Sequence, residues 1–289
     1  MQSNIEHKAI KDETVTAPAV LVIEAKQRQK LIDWRELNAF RDLLYFLTWR
    51  QIKVRYAQSA VGIGWAILQP LVTMVVFTII FGNLAKISSE GSPYALFSLA
   101  ALLPWTYFSN SVTDGVSSLV SEANTLRKVY FPRVLIPLAS ILAKLLDLGI
   151  ACCLMAVLML FYKQAPNLWL LIMPILLVLM ICSALGLSLW LSALAIQYRD
   201  VKHGLNFFIQ LAMYACPIVY PTTAIPESYR LIYALNPMVA IVEGFRSGLL
   251  GTNTFQWSYL ACGFATTTLV LLTGLKFFRA REIVFADVA

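Results

Sequence analysis

Charged side chains are scarce in this sequence. Asp, Glu, Lys and Arg make up 13% of the 289 residues and hydrophobic residues 59%, where a soluble domain carries about 25% and about 45–50%. A soluble fold of this length cannot hide so much apolar side chain, so lipid must solvate much of the surface. Histidine is nearly missing, with His7 and His203 the only two. The five cysteines (Cys152, Cys153, Cys182, Cys216 and Cys262) lie in apolar stretches, and none forms CxxC. Convergent soft ligands for a metal are therefore lacking, and free thiols are expected. No GxxxxGK[ST] loop occurs, so the chain has no ATP-cradling loop of its own. HExxH, GxSxG and a paired-carboxylate site are missing as well, so no catalytic residue, metal or cofactor is expected in this chain. The net charge of +7 flanks apolar runs and forms no basic stripe with interleaved aromatics, which excludes a nucleic-acid partner.

What the sequence has in plenty is long apolar runs. A bilayer core of about 30 Å needs roughly 20 apolar residues as helix. Six charge-poor runs answer to that: Ala57–Ala85, Tyr94–Thr113, Val134–Tyr162 (broken only by Lys144 and Asp147), Gln164–Tyr198, Gly204–Pro226 and Leu249–Leu275. Each must be helical, because lipid offers no partner for open backbone groups. The expected fold is an all-α integral membrane protein with six transmembrane helices over residues 57–277 and a tail over 278–289.

Lys and Arg set the orientation. With the N-terminus in the cytoplasm, residues 1–56 hold ten of them, the Val120–Arg133 loop three, the Gln197–Gly204 loop two and the tail from Lys276 three. Eighteen then lie inside against four outside, Lys86, Lys163, Arg230 and Arg246. Both termini are expected on the cytoplasmic side. Between Pro221 and Gly251, Asn236-Pro237 splits two apolar pieces too short to span. They read as short re-entrant helices on the outer side, or as an outer loop on the membrane surface.

Ahead of the first span, Trp34, Leu37, Phe40, Leu44 and Leu47 recur at helical spacing, with Arg35, Asn38 and Asp42 opposite. Asp33 and Glu36 resemble a capping box. Residues 31–56 are expected as an amphipathic interface helix, over 31–49, and a linker. Residues 1–30 show no periodicity and only a short apolar patch, Ala17–Ile23, so a mobile segment without a cleavable signal sequence is expected.

Two features within the spans carry chemistry. Lys144 and Asp147 are three apart on one helix and share a face. They read either as a self-neutralising pair that locks helices or as the wall of a polar channel. Aromatics crowd the span ends. Trp65, Phe77, Phe81, Phe207, Tyr214 and Tyr220 read either as headgroup-level anchors or as lumen-facing rings on which a polar polymer slides. Phe77 and Phe81, four apart, share a face, as do Phe207 and Tyr214, seven apart.

Several stretches resemble a known family. WRQIKVRYAQSAVGIGWAILQP (Trp49–Pro70), LRKVYFPR (Leu126–Arg133), YRDVKH (Tyr198–His203), CPIVYP (Cys216–Pro221) and LNPM (Leu235–Met238) look like motifs of ABC exporter permeases for bacterial cell-surface polysaccharides. They stand in the same order, over roughly residues 31–285. The resemblance implies a homodimer in the inner membrane and two copies of a separate cytoplasmic ATPase, which would use ATP and magnesium. It implies a cargo of polysaccharide on undecaprenyl diphosphate, of O-antigen, capsule or teichoic-acid type. It places ATPase coupling at Glu122, Arg127, Lys128, Tyr130, Phe131 and Arg133, and a second cytoplasmic loop at Arg199, Asp200 and Lys202. It puts channel aromatics on the first and fifth spans. Arg50, Lys53 and Arg55 would meet the lipid diphosphate, or serve as positive-inside flanks.

Three other readings compete. A permease for a drug, haem or small lipid would show a larger outer domain or lack LRKVYFPR. A membrane glycosyltransferase or acyltransferase would need clustered acids or a histidine base. A secondary transporter would show inverted repeats with paired broken helices, and no internal symmetry is visible.

Overall fold

The computed structural model describes residues 38–57, 62, 64–122, 131–198, 200–251 and 256–281. Among these residues every regular element is helical and no strand occurs. The expected segment 1–30, the expected capping residues Asp33 and Glu36, and most of the tail lie outside them.

Helix α1 is Arg41–Ala57. It runs through Arg50, Lys53 and Arg55, where a linker is expected, because that stretch holds neither Gly nor Pro to stop it. Its Phe40–Leu47 face does pack, as the periodicity predicts. Phe40, Leu43, Leu44 and Leu47 lie on a cluster of Leu119, Phe131, Leu135, Ile136, Leu189, Ala193, Leu275 and Phe278.

Helix α2, Gly64–Phe77, continues as a π-helical turn, Thr78–Leu84. Helix α3 is Tyr94–Ser121 and is buried along most of its length. It touches α2 and most of the helices that follow it in the chain. It is rich in Ser and Thr, which bond back to their own helix: Thr106 Oγ1 donates to the Leu102 carbonyl at 2.7 Å and Ser118 Oγ to Gly115 at 2.7 Å. Self-satisfied hydroxyls suit a helix whose neighbours are other helices rather than lipid.

The third apolar run divides at Lys144 into α4, Leu135–Ala143, and α5, Leu145–Phe161. A 3₁₀ turn, Leu168–Ile172, capped by the Asn167 side chain, leads into α6, Met173–Gln197. Helix α7 is Asp200–Tyr214. The apolar run Gly204–Pro226 is therefore not one helix: α7 stops at Tyr214, where Pro217 and Pro221 withhold backbone donors. At 15 residues α7 is about 22 Å long, with turns and a 3₁₀ step, Thr222–Ala224, completing the run.

Asn236-Pro237 breaks the chain as expected, between α8, Glu227–Tyr233, and α9, Pro237–Leu250. The Asn236 side chain accepts from the Met238 amide at 3.1 Å, capping α9. Helix α9 is buried almost throughout and ends at Gly251, whose φ of 65° is left-handed. Helix α10 is Trp257–Arg281. The last span thus starts at Trp257 rather than Leu249, because the end of that apolar run belongs to α9.

Among the described residues, four helical stretches are long and apolar enough to cross a membrane: Gly64–Leu84, Leu135–Phe161, Leu168–Gln197 and Trp257–Arg281. Helices α6 and α10 form the closest seam. A Cβ on Gly274 would stand 2.5 Å from the Gly186 carbonyl, and one on Gly186 would stand 2.8 Å from Leu271 Cα. Small residues let these backbones meet. Ser183 and Thr267 hydroxyls 2.7 Å apart, and Trp190 stacked on Phe277 at 4.3 Å, finish the seam.

Candidate functional site

The residues that carry chemistry gather in two places. The first lies where α1 meets α3 and the α4–α5 bend. The last turn of α1 delivers Arg55 and Tyr56. The bend delivers Lys144, and the first turn of α5 delivers Asp147. Helix α3 delivers Asp114, one turn beyond Asn110. Arg55 donates to Asp147 at 2.7 Å and also pairs with Asp114. Lys144 Nζ stands 2.7 Å from Asp114. The Tyr56 hydroxyl donates to Asp147, and burial, then that bond, pushes its pKa up, so it stays a donor. Two cations thus meet two carboxylates across four elements.

This network borders a cavity of about 250 Å³, which Trp65, Gln69, Thr106 and Asn110 also line. No group of three or more His, Cys, Asp or Glu among the described residues could hold a metal.

The second cluster surrounds α9. Arg246 is completely buried. It donates to the Ile218 carbonyl at 2.8 Å, to the Tyr220 carbonyl at 3.3 Å and to Glu243 at 3.2 Å. Its guanidinium lies 3.6 Å from the centre of the Phe97 ring. It fixes the turn after α7 against α9 and α3. Nearby, the Tyr220 hydroxyl donates to the Tyr214 carbonyl at 2.9 Å and stands 3.1 Å from the Tyr233 hydroxyl.

The residues singled out in the sequence fall as follows. Lys144 and Asp147 do share a face, but they are not one another's ion partners: Asp114 takes Lys144 and Arg55 takes Asp147, because the bend at Lys144 turns the ammonium toward α3. Of the three cations after the interface helix, Arg50 pairs with Glu122 and Arg55 with two carboxylates, while Lys53 lies 5.8 Å over the Trp49 ring. Among the aromatics, Trp65, Phe207 and Tyr214 are exposed, whereas Phe77 and Phe81 are half-buried edge to face at 5.4 Å, packed inward on the core. Asp200 and Lys202 are exposed at the start of α7. Arg127, Lys128, Tyr130 and Arg199 lie outside the described residues. Phe131 is 6% exposed, in the cluster beneath α1. It is therefore core, not an exposed docking anchor, because α1 covers it. Glu122 and Arg133 are partly exposed on either side of that loop.

Sequence reasoning missed Asp114, Asn110, Gln69 and the burial of Arg246. A signal for the first two was there. Tyr107, Asn110 and Asp114 stand at i, i+3 and i+7, a stripe on one face that ends in the helix's only charged residue. Nothing in the sequence marks Arg246 apart from the other sparse charges.

Residues 42–250 match the family model described as "ABC-2 type transporter". The chain is 30% identical over 255 residues to the O-antigen export system permease protein RfbA of Myxococcus xanthus, which covers 88% of this chain and 97% of that protein. It is 27% identical to a protein of the same name from Klebsiella pneumoniae, over 86% of this chain and 95% of that one. It is 25% identical to the polysialic acid transport protein KpsM of Escherichia coli, over 81% and 91%.

Proposed function

The chain belongs to the ABC-2 type transporter membrane family, and from that footing we propose that it is the permease of a polysaccharide exporter. The cargo is a glycan carried on undecaprenyl diphosphate, of O-antigen type, with capsular or teichoic-acid polymer as the alternative. A family member of this kind is a transport subunit and not itself a catalyst. Two copies pair in the bacterial inner membrane, and two copies of a separate ATPase, holding ATP and magnesium, drive them. One observation carries the reading: kinship over nearly the whole length to permeases named for O-antigen export and for polysialic acid transport, whose common cargo is polysaccharide.

The six-span topology belongs to this proposal. Four helical stretches are apolar enough alone. Helix α3 is the fifth, polar because it is buried, and α7 with the turns after it is the sixth. The pair α8–α9 dips into the outer leaflet, α1 lies at the cytoplasmic interface, and both termini are cytoplasmic. The ATPase meets the Glu122–Arg133 loop through Arg127, Lys128 and Tyr130, with Arg199, Asp200 and Lys202 on the second loop. The exposed rings of Trp65, Phe207 and Tyr214 face the glycan path, where many weak contacts permit sliding.

Deletion of the gene tests the reading. Surface glycan should vanish while lipid-linked glycan accumulates inside, and the intact chain supplied in trans should reverse both. Surface glycan that persists in the deletion strain sinks the proposal.

A further inference from the structure

The break between α4 and α5 has no cause in its own sequence. Helices break at Pro, at Gly or where a side chain enters the backbone ladder, and residues 138–148 hold neither Pro nor Gly. Helix α3 supplies the cause from outside. The Tyr107 hydroxyl donates to the Ile141 carbonyl at 3.2 Å. That carbonyl also accepts from the Lys144 amide at 3.2 Å, three residues on instead of the four of an α-helix. Seven residues further along the same face of α3, Asp114 holds the Lys144 ammonium at 2.7 Å.

The break is also shallow. Lys144 has φ −71° and ψ −15°, so ψ needs to move by only about 27° to reach the α-helical value. Closing it leaves the charges balanced. Lys144 and Asp147 are three apart, and in an unbroken helix such residues are neighbours. In the structure Asp114 serves two cations, Lys144 and Arg55, while Asp147 has Arg55 and the Tyr56 hydroxyl. If Lys144 turns to Asp147, Arg55 keeps Asp114, and each carboxylate still has a cation. Lys144 and Asp147 both line the cavity of about 250 Å³. That space leaves room for the turn, where a close-packed core would not.

We propose that the Lys144 joint is a two-position switch. In the first position, the one described, Asp114 holds Lys144 and the helix is broken. In the second, Leu135–Phe161 is one continuous helix, Lys144 pairs with Asp147, and Arg55 is left to Asp114. Arg55 bridges α3 to α5 only in the first position. The end of α1 and the joint are therefore coupled, and whatever moves one must bias the other. The switch concerns how the helices move and holds for any cargo.

Amide hydrogen exchange of the full-length chain in detergent tests it, read in peptides covering residues 141–149. Losing an ion pair that merely props a structure speeds exchange nearby. Asp114→Asn should do the opposite. With its holder gone, Lys144 turns to Asp147, the helix closes, and exchange at the break slows by about threefold or more. Tyr107→Phe, which loses one hydroxyl and is expected to fold, should slow it by a smaller factor. Asp114→Asn combined with Asp147→Asn should lose the slowing, because the second position then has no acceptor. Thermal melting checks that each variant is folded. Unchanged or faster exchange at the break in folded Asp114→Asn overturns the proposal. If that variant does not accumulate, Tyr107→Phe decides by the same criterion. Slowing that persists in the double variant overturns it as well, since Asp147 is then not the second partner.

Discussion

Arg55 and Arg246 both carry a guanidinium into this helical bundle and both meet carboxylates there, but their surroundings differ. Arg246 is fully buried, and Glu243 sits three residues away on the same helix. Its other contacts are two carbonyls of the turn after α7 and the ring of Phe97. The Arg55 side chain is 29% exposed, and its partners Asp114 and Asp147 sit on two other helices beside a cavity. The first arrangement is a closed staple, in which one donor group serves several acceptors. The second is a shared network, in which Lys144 offers Asp114 a second cation. A network with redundant partners tolerates loss of a member and can rearrange; a staple cannot. The Arg246 cluster therefore holds the fold in one arrangement, and the Arg55 cluster is the one with room to rearrange.

The sharpest break of this contrast is Arg246→Met. It takes the guanidinium from Glu243 and the donors from Ile218 and Tyr220 in a fully buried setting. Removing one member of such a pair costs about 3–5 kcal/mol. We expect a large drop in melting temperature in detergent, or failure of the protein to accumulate. The double change Arg246→Met, Glu243→Met should recover part of the loss, since an apolar pair has no charge to desolvate. A single variant that melts like the wild type would erase the distinction.

Arg55→Met should cost less, about 1–3 kcal/mol, because Lys144 still neutralises Asp114 and the cavity admits water or ligand to Asp147. Its specific sign should be local. Amide exchange in the last turns of α1 should rise while exchange in α6 and α10 stays as in the wild type. Uniform faster exchange across the molecule would place Arg55 in the same class as Arg246.

The same contrast explains what was legible in the sequence. Apolar runs suffice for an all-helical membrane protein, and Asn236-Pro237 marks a helix break correctly. Lys144 and Asp147 stand out because charge is rare in an apolar run. Their partners do not, because periodicity says which residues share a face and not which helix that face meets. Asp114 lies just past the run Tyr94–Thr113, and only the packing of α3 at the centre gives it meaning. The end of α7 at Tyr214 was hidden for a related reason: apolarity reports burial or lipid contact, whereas helix continuity depends on backbone donors that Pro217 and Pro221 lack. Phe131 looked like an anchor on a loop because aromatic residues next to basic ones suit an interface. Its burial depends on Phe40, Leu43, Leu44 and Leu47, far away in sequence, folding back over the cluster that holds it.

The smallest expected effect is at Arg50, and it tests whether position on α1 alone makes a charge important. Arg50 lies five residues before Arg55 on the same helix and pairs with Glu122, just past the end of α3. Its side chain is 41% exposed, so water and salt compete for it. Pairs of this kind contribute about 0.2–1 kcal/mol. Arg50→Gln should therefore lower the melting temperature by about 2 °C or less, and raised salt should shrink the difference, since an exposed pair is screened within about 10 Å at 0.1 M. The charge-swapped double variant Arg50→Glu, Glu122→Arg should return close to the wild-type value. If Arg50→Gln instead loosens α1 as much as Arg55→Met, and salt does not change it, then α1 is held by its cations collectively. The redundancy assigned to the Arg55 network would then extend along the whole helix, and the cavity would lose its special place in holding α1 to α3.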